Sequence, residues 1–372
     1  MREFGYYLFD NYDSKDVKIK EDDPRVILNE SVDAVLAEVA QTPSGACQYD
    51  SLCAKHTKLK IDQLIHIGLF RLEGKCVFLS APVFVQEDHA TLKGAFANDL
   101  SHMAEQILIR KDDFHQLANQ LNNDFPPQVN LYHVLCGTIL DGSFFDELVT
   151  HDLVATSRIH KSGLDYLIIV YEKTPDLNDF SNQLLCSYNR FSDGKRTLQS
   201  FGDSNGERVD AFRFMCQKRL GEVPQGLAHI EKLWDSLESN NIKDVLLSEM
   251  QEFVETGNCN ETCRHLLTEF GYIENGKIIV PVYFQKHKPI IQALTELTKE
   301  CIFDPMQQAL TSPEMISKLR CGKHGVSNTE IANELYHIVF GRLNALLVQC
   351  GFVCEPKFHN GEGRYLKSIE IM

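Results

Sequence analysis

The feature that most constrains this chain is a repeat with one spacing. Pro82, Val83, Phe84 and Gln86 recur as Pro281, Val282, Tyr283 and Gln285, and 281 − 82 = 199. Far downstream, Val154, Arg158, Ile159, His160, Tyr166 and Leu167 recur as Val353, Lys357, Phe358, His359, Tyr365 and Leu366, and 353 − 154 = 199 again. Between them, Leu131, Tyr132, His133, Val134 and Gly137 recur as Leu335, Tyr336, His337, Ile338 and Gly341 at 335 − 131 = 204, so five residues enter and leave the alignment, at Asp141 to Phe145. A repeat on this scale fixes architecture before function: residues 1–172 read as one copy, 241–372 as a second, and 173–240 as a polar, turn-rich linker with helical segments.

Composition narrows the class. With 372 residues, 43% of them hydrophobic and 24% charged, the chain has material for two to four cores. The start MREFGYYLFDNYDSKD lacks a basic, then apolar, leader, and no apolar run approaches the roughly 18 residues of a membrane span, which predicts a cytoplasmic protein. Twelve scattered cysteines fit reduced, mostly buried thiols rather than a disulfide framework. A net charge of −15 excludes nucleic-acid binding through the overall field, so any such contact has to be local.

Both copies repeat an order of helix, glycine or turn, then hairpin. Val32, Val35, Leu36 and Val39 form one helical stripe, with Ser31 available as its cap, and Asp244, Leu246, Leu247, Glu249 and Met250 echo it. Gly68 and Gly271 read as left-handed helix stops. Glu73-Gly74-Lys75 and Asn275-Gly276-Lys277 read as hairpin turns. Long helices are expected over about 88–122, with a break, and about 287–310. In the linker, Val209 to Leu220 and Leu227 to Ser239 read as helices, and Arg208, Arg213, Lys218 and Arg219 as a local basic patch, more simply a solvated helix face. The fold class is α+β, mostly helical, with small hairpins.

That order resembles the winged helix-turn-helix superfamily, most clearly over 326–371. Val326 to Leu335 looks like a capped second helix, with Ser327 or Asn328 as cap and Ile331, Ala332 and Leu335 buried. Leu343 to Val353 looks like the end of a recognition helix, and Cys354 to Ile371 like a wing with Asn360-Gly361-Glu362-Gly363 at its tip. Residues 131–172 repeat this pattern less well, and the hairpins at Leu69 to Phe84 and Tyr272 to Tyr283 are candidate wings of two further domains. The resemblance implies binding of double-stranded DNA by helix and wing, hence a regulator of transcription. The residues it nominates are Arg342, Asn344, Lys357, His359, Arg364 and Lys367 in the second copy and Arg158, His160 and Lys161 in the first. The first copy's helix instead carries Asp141, Asp146 and Glu147, which repel phosphate, so an acidic face covered by a protein partner or a homodimer mate is the alternative. His160 and His359 are equally well explained by packing on Tyr166 and Tyr365, and Tyr132-His133 and Tyr336-His337 by core burial.

A third class, an enzyme or metal protein, has little support. Cys259-x3-Cys263-x-His265, Cys321-x2-His324 and Cys47-x5-Cys53-x2-His56 have ligand types at usable spacings but no paired Cys-x2-Cys. Cys321, beside Arg320 and Lys323, is the one thiol with neighbours that lower a pKa. No phosphate loop or nucleophile elbow occurs. No catalytic residue, metal ligand or cofactor is assigned.

Overall fold

Two central strands organise the protein, and they lie 199 residues apart. The computed structural model describes residues 2–10, 17, 22–29, 32–175, 187–203, 207–237, 241–359 and 361–372. In chain order the elements are β1 (Phe4–Asp10), α1 (Pro24–Leu28), α2 (Asp33–Gln41), α3 (Tyr49–His56), α4 (Lys58–His66), β2 (Phe70–Glu73), β3 (Cys76–Leu79), β4 (Val83–Phe84), α5 (Gln86–Lys93), α6 (Ala97–Ile109), α7 (Lys111–Asn119), α8 (Pro127–Leu131), a π-helix (Tyr132–Ser143), α9 (Phe144–Thr150), β5 (Arg158–Ile159) and β6 (Asp165–Glu172). There follow β7 (Ser187–Ser192), β8 (Arg196–Gly202), α10 (Ala211–Leu220), α11 (Ala228–Asp235), α12 (Ile242–Thr256), α13 (Glu261–Glu269), β9 (Ile273–Glu274), β10 (Lys277–Ile278), β11 (Val282–Phe284), α14 (Lys288–Leu310), α15 (Pro313–Lys318), α16 (Arg320–Lys323), α17 (Asn328–Gln349), β12 (Phe358–His359) and β13 (Gly363–Ile371). The class is α+β and mostly helical. No helix among the described residues is long and apolar enough to cross a membrane.

The chain divides into two units made of interleaved segments, Met1–Met103 with Phe145–Asp179 and Phe303–Val339, and Ala104–Phe144 with Phe180–Ile302 and Phe340–Met372. In the first unit β6 is central. It pairs antiparallel with β1, parallel with β4 and antiparallel with β5, and Tyr166 to Val170 are buried in succession, as a strand covered on both faces requires. In the second unit β13 is central, antiparallel to β8, parallel to β11 and antiparallel to β12, with β7 outside β8.

The pairings of the two units share one register. Val83 faces Val170 and Val282 faces Ile369, so 282 − 83 = 369 − 170 = 199. Phe4 faces Glu172 and Arg196 faces Ile371, which matches β1 to β8 at 196 − 4 = 192. Even the closing bonds agree: Lys173 N donates to Glu3 O at 2.8 Å, and Met372 N to Lys195 O at 2.8 Å.

Several sequence expectations meet this fold differently. The segment read as a linker contributes β7 and β8 to the second unit's sheet, so that unit begins well before residue 241. Its polar letters misled: Thr197, Gln199 and Ser200 are buried, but Ser192 bonds Thr197 at 2.8 Å and Ser368 donates to Gln199 Oε1 at 2.6 Å across the strands. The helices of that segment form at 211–220 and 228–235, and Phe214 and Trp234 pack in a core with Phe191, Leu247 and Phe270. The expected helix over 88–122 is three helices, interrupted at Gly94–Phe96, where Phe96 has φ 62°, and at Arg110. Ser31, Asn360 and the loop residues 204–206 lie outside the described residues; Val32 occupies the N-cap of α2 and makes no side-chain bond there.

The largest correction concerns 326–353, where α17 runs without a break from Asn328 to Gln349 and no turn separates a second helix from a recognition helix. The only candidate breaker, Gly341, costs a helix about 1 kcal/mol, and buried Tyr336, Ile338, Val339, Phe340 and Leu343 on either side outweigh it. Asp141 to Phe145, the residues that enter the sequence alignment, fall at the end of the π-helix and the start of α9, the π-helix having wider turns than an α-helix.

Candidate nucleic-acid interface

Most side chains nominated from sequence are spent inside the fold. In the first unit Arg158 donates to the carbonyls of Gly68 at 3.1 Å and Ser80 at 3.2 Å and pairs with Glu330 at 2.9 Å. His160 stacks on Tyr166 with ring centres 3.8 Å apart and planes 7° from parallel, and its Nε2 donates to the Tyr166 carbonyl at 3.0 Å. Burial pushes that imidazole down to about 4, so it is neutral at pH 7 and attracts no phosphate. Lys161 is exposed.

The second unit behaves alike. Lys367 is buried, and its Nζ donates to the carbonyls of Val209, at 2.9 Å, and Phe270. Arg364 pairs with Asp203 at 3.0 Å and Glu355 at 2.9 Å. Asn344 is 1% exposed, inside α17, and Arg342 on the same helix is half-buried. His359 stacks on Tyr365 at 4.4 Å. Lys357 and His359 are exposed together on one hairpin. A DNA contact by Arg158, His160, Arg364, Lys367 or Asn344 would require breaking these bonds or opening the core. Tyr132, His133 and Tyr336 are buried, as the packing alternative expects.

The three carboxylates of the first copy's helix do not share one environment. Burial drives the Asp141 carboxyl well above the usual carboxylate range, with the Arg208 guanidinium and the Tyr188 backbone N–H opposing the rise. Asp146 is exposed, and Glu147 approaches His151 at 3.7 Å. The Cys321 thiol, expected to be acidified by Arg320 and Lys323, is buried and pushed up to about 12. Among the described residues no three His, Cys, Asp or Glu side chains are grouped to hold a metal ion.

The surface that sequence reading left in the background lies over 33–79. Helix α2 buries Val35, Leu36, Val39 and Ala40; α3 buries Leu52; α4 buries Ile61 and Leu64; the β2–β3 hairpin buries Phe70, Val77 and Leu79. Residues 47–49 add a short third strand: Gln48 bridges Cys76, Val77 N donates to Cys47 O at 2.8 Å, and Tyr49 N to Lys75 O at 2.8 Å. Gly68, with φ 74°, ends α4 in the left-handed region and turns the chain into the hairpin.

What this arrangement leaves outside is one face of α4 and the hairpin tip. Lys55, Lys58, Leu59, Asp62, His66, Glu73 and Lys75 are exposed. The neighbouring carboxylates are engaged: Glu38 with Lys55 at 2.6 Å and His56 at 2.8 Å, Asp62 with the Tyr49 hydroxyl, Asp22 with His66 at 2.6 Å, and Glu73 with Arg71 at 2.6 Å. Lys55 and then His56 hold Glu38 below the usual carboxylate range, against the effect of burial. Lys58 and Lys75 make no ion pair among the described residues. The second unit carries similar elements over 242–278. Asn260 caps α13 by accepting from Thr262 N at 2.9 Å, Gly271 has φ 72°, and Arg264, His265 and Lys277 are exposed beside exposed Glu261, Glu269 and Glu274. The turn glycines Gly68 and Gly271 were legible signals for both places; exposure of the helix faces was not. Comparison of the chain with known protein families, curated proteins and solved structures finds no match.

Proposed function

We propose that the protein is a DNA-binding regulator, that residues 33–79 act as a winged helix on duplex DNA, and that the chain is a tandem duplication of a unit containing such a module. The order helix, bridge strand, helix, helix, hairpin over 33–79 supports the winged-helix reading, and the shared strand register supports duplication. The observation that carries the DNA reading is the exposed face of α4. Its inward side is fixed by Ile61 and Leu64, while Lys58 at its start and Lys75 at the hairpin tip are exposed and make no ion pair among the described residues. A helix held this way presents its first turns to the major groove with the wing beside the backbone. With a net charge of −15, such contacts are few and the affinity depends on them individually.

The test is binding of the full chain to a random-sequence 30-base-pair duplex across a salt titration. Each phosphate contact contributes about 0.9 to the slope of log affinity against log salt, so replacing both Lys58 and Lys75 with alanine lowers the slope by about 1.8. Replacing Lys357 and His359 with alanine leaves it unchanged. Absence of binding at low salt overturns the reading. It would favour a protein-interaction module, for which Leu59, 71% exposed, and Leu72, 42% exposed, are the supporting observations.

A further inference from the structure

Leu59 and Gln63 form the part of the α4 surface that the fold leaves chemically uncommitted. At 100° per residue, buried Ile61 and Leu64 place Leu59, Asp62, Gln63 and His66 on the opposite, outward stripe. Two of those four are occupied: Asp62 accepts from the Tyr49 hydroxyl, and His66 is bonded to Asp22. Gln63 makes no side-chain hydrogen bond among the described residues, and Leu59 is one of the most exposed large apolar side chains. They are four residues apart and therefore neighbours on the helix surface.

We propose that this pair reads an A·T base pair in the major groove, Gln63 on adenine and Leu59 on the methyl of the paired thymine. The inference rests on the DNA reading above. Adenine offers N7 as acceptor and the N6 amino group as donor, and a glutamine amide matches both at once. Thymine offers O4 and a methyl group, and an exposed leucine matches the methyl. No cation in the middle of the stripe competes for guanine O6 and N7, and Asp62, which would otherwise accept from cytosine N4, is held by Tyr49. The stripe therefore discriminates by an amide and a methyl contact, and charge from Lys58 supplies affinity without sequence.

The experiment is selection of the full-length protein on duplexes with a randomised centre, with bound DNA sequenced for the natural protein, Gln63→Ala and Leu59→Ala. The natural protein is expected to enrich A·T at one position, and Gln63→Ala to lose about 5- to 150-fold of that discrimination. In the selected site, replacing the thymine with deoxyuridine is expected to weaken the natural protein about fourfold, the value of one buried methyl group, and to leave Leu59→Ala unaffected. Enrichment of G·C, or an A·T preference that survives in both variants, overturns the proposal. Leu59 is exposed, and Gln63 is half-buried without a side-chain hydrogen bond among the described residues, so neither truncation opens the core and the variants fold. If the natural protein shows no salt-dependent binding at all, it is the DNA reading that fails; salt-dependent binding without the expected base preference sinks only this inference.

Discussion

Replacing Arg158 with alanine separates a structural tie from a DNA contact. The guanidinium bonds the carbonyls of Gly68 and Ser80, on either side of the β2–β3 hairpin, and pairs at 2.9 Å with Glu330, whose side chain is 6% exposed against 36% for Arg158. Removing one partner of a buried pair costs about 3–5 kcal/mol, and the partial exposure of Arg158 puts this case near 3. The cost is also pH-dependent. Burial raises the Glu330 carboxyl above its ordinary value near 4.3, and Arg158 opposes the rise. A carboxyl with a raised folded pKa favours the folded state below its unfolded pKa and forfeits that stability as pH climbs through the folded pKa. Without Arg158 the folded pKa rises further, so Arg158→Ala costs least at pH 4, where only the bonds to the Gly68 and Ser80 carbonyls are lost, and most at pH 8. Hydrogen exchange in peptides covering 68–80 and 328–335 reads this locally. Glu330→Gln in the same chain is expected to recover at least half the loss, because it removes the stranded charge. Unchanged protection in Arg158→Ala at pH 8 would refute the reasoning.

Two further outcomes follow from the second unit. A Cβ at Gly202 would lie 2.2 Å from the Arg364 carbonyl and 2.6 Å from Tyr365 Cα, and backbone in a paired strand cannot yield, so Gly202→Ala is expected to cost at least about 3 kcal/mol in urea unfolding. Gly94→Ala, with nothing within 4 Å and a negative φ, is its control and is expected to be neutral or slightly stabilising; equal effects would be contrary evidence. Burial lowers the Lys367 ammonium to about 8. Because the folded pKa lies below the unfolded one, stability rises with pH between about 8 and 10.4, by about 3 kcal/mol, and the rise should be missing from Lys367→Met. Parallel pH profiles of the two proteins would exclude it.

The parts of this fold visible in sequence were those with a periodic or stereochemical signature. Gly68, Gly271 and Asn275-Gly276 announced left-handed positions that the backbone adopts. The repeat at 199 residues announced strands that pair in one register. Strand β8 was hidden because Thr197 and Gln199 look solvated until their cross-strand partners Ser192 and Ser368 are known. The helix end at Gly351-Phe352-Val353 was legible, since α17 stops at Gln349 and Gly351 has φ 66°, but 326–335 and 343–353 were misread as parts of two helices because burial across 335–343, which keeps one helix running between them, is not visible in sequence. The candidate surface was missed for a different reason. Basic residues are visible in sequence, but whether a carbonyl has already claimed them is not.

That distinction explains why the two final hairpins look like wings and are occupied as ties. Gly68 and Gly271 end the helices α4 and α13, and a helix end leaves carbonyls without partners. In the first unit Arg158 reaches the carbonyl of Gly68 itself; in the second, Lys367 reaches that of Phe270, one residue before the glycine. A Cβ at Gly68 would meet the His160 ring at 2.7 Å, and one at Gly271 would meet Lys367 Nζ at 2.9 Å, so glycine is needed for the approach as well as for the turn. These cations thus hold the junction between helix and hairpin, and in the first unit that junction sets the pose of α4. Weakened DNA binding on losing Arg158 would consequently arise through the position of α4. The salt slope tells the two roles apart: it falls when Lys58 is removed and stays constant when Arg158 is, because only a contact with phosphate releases a counterion.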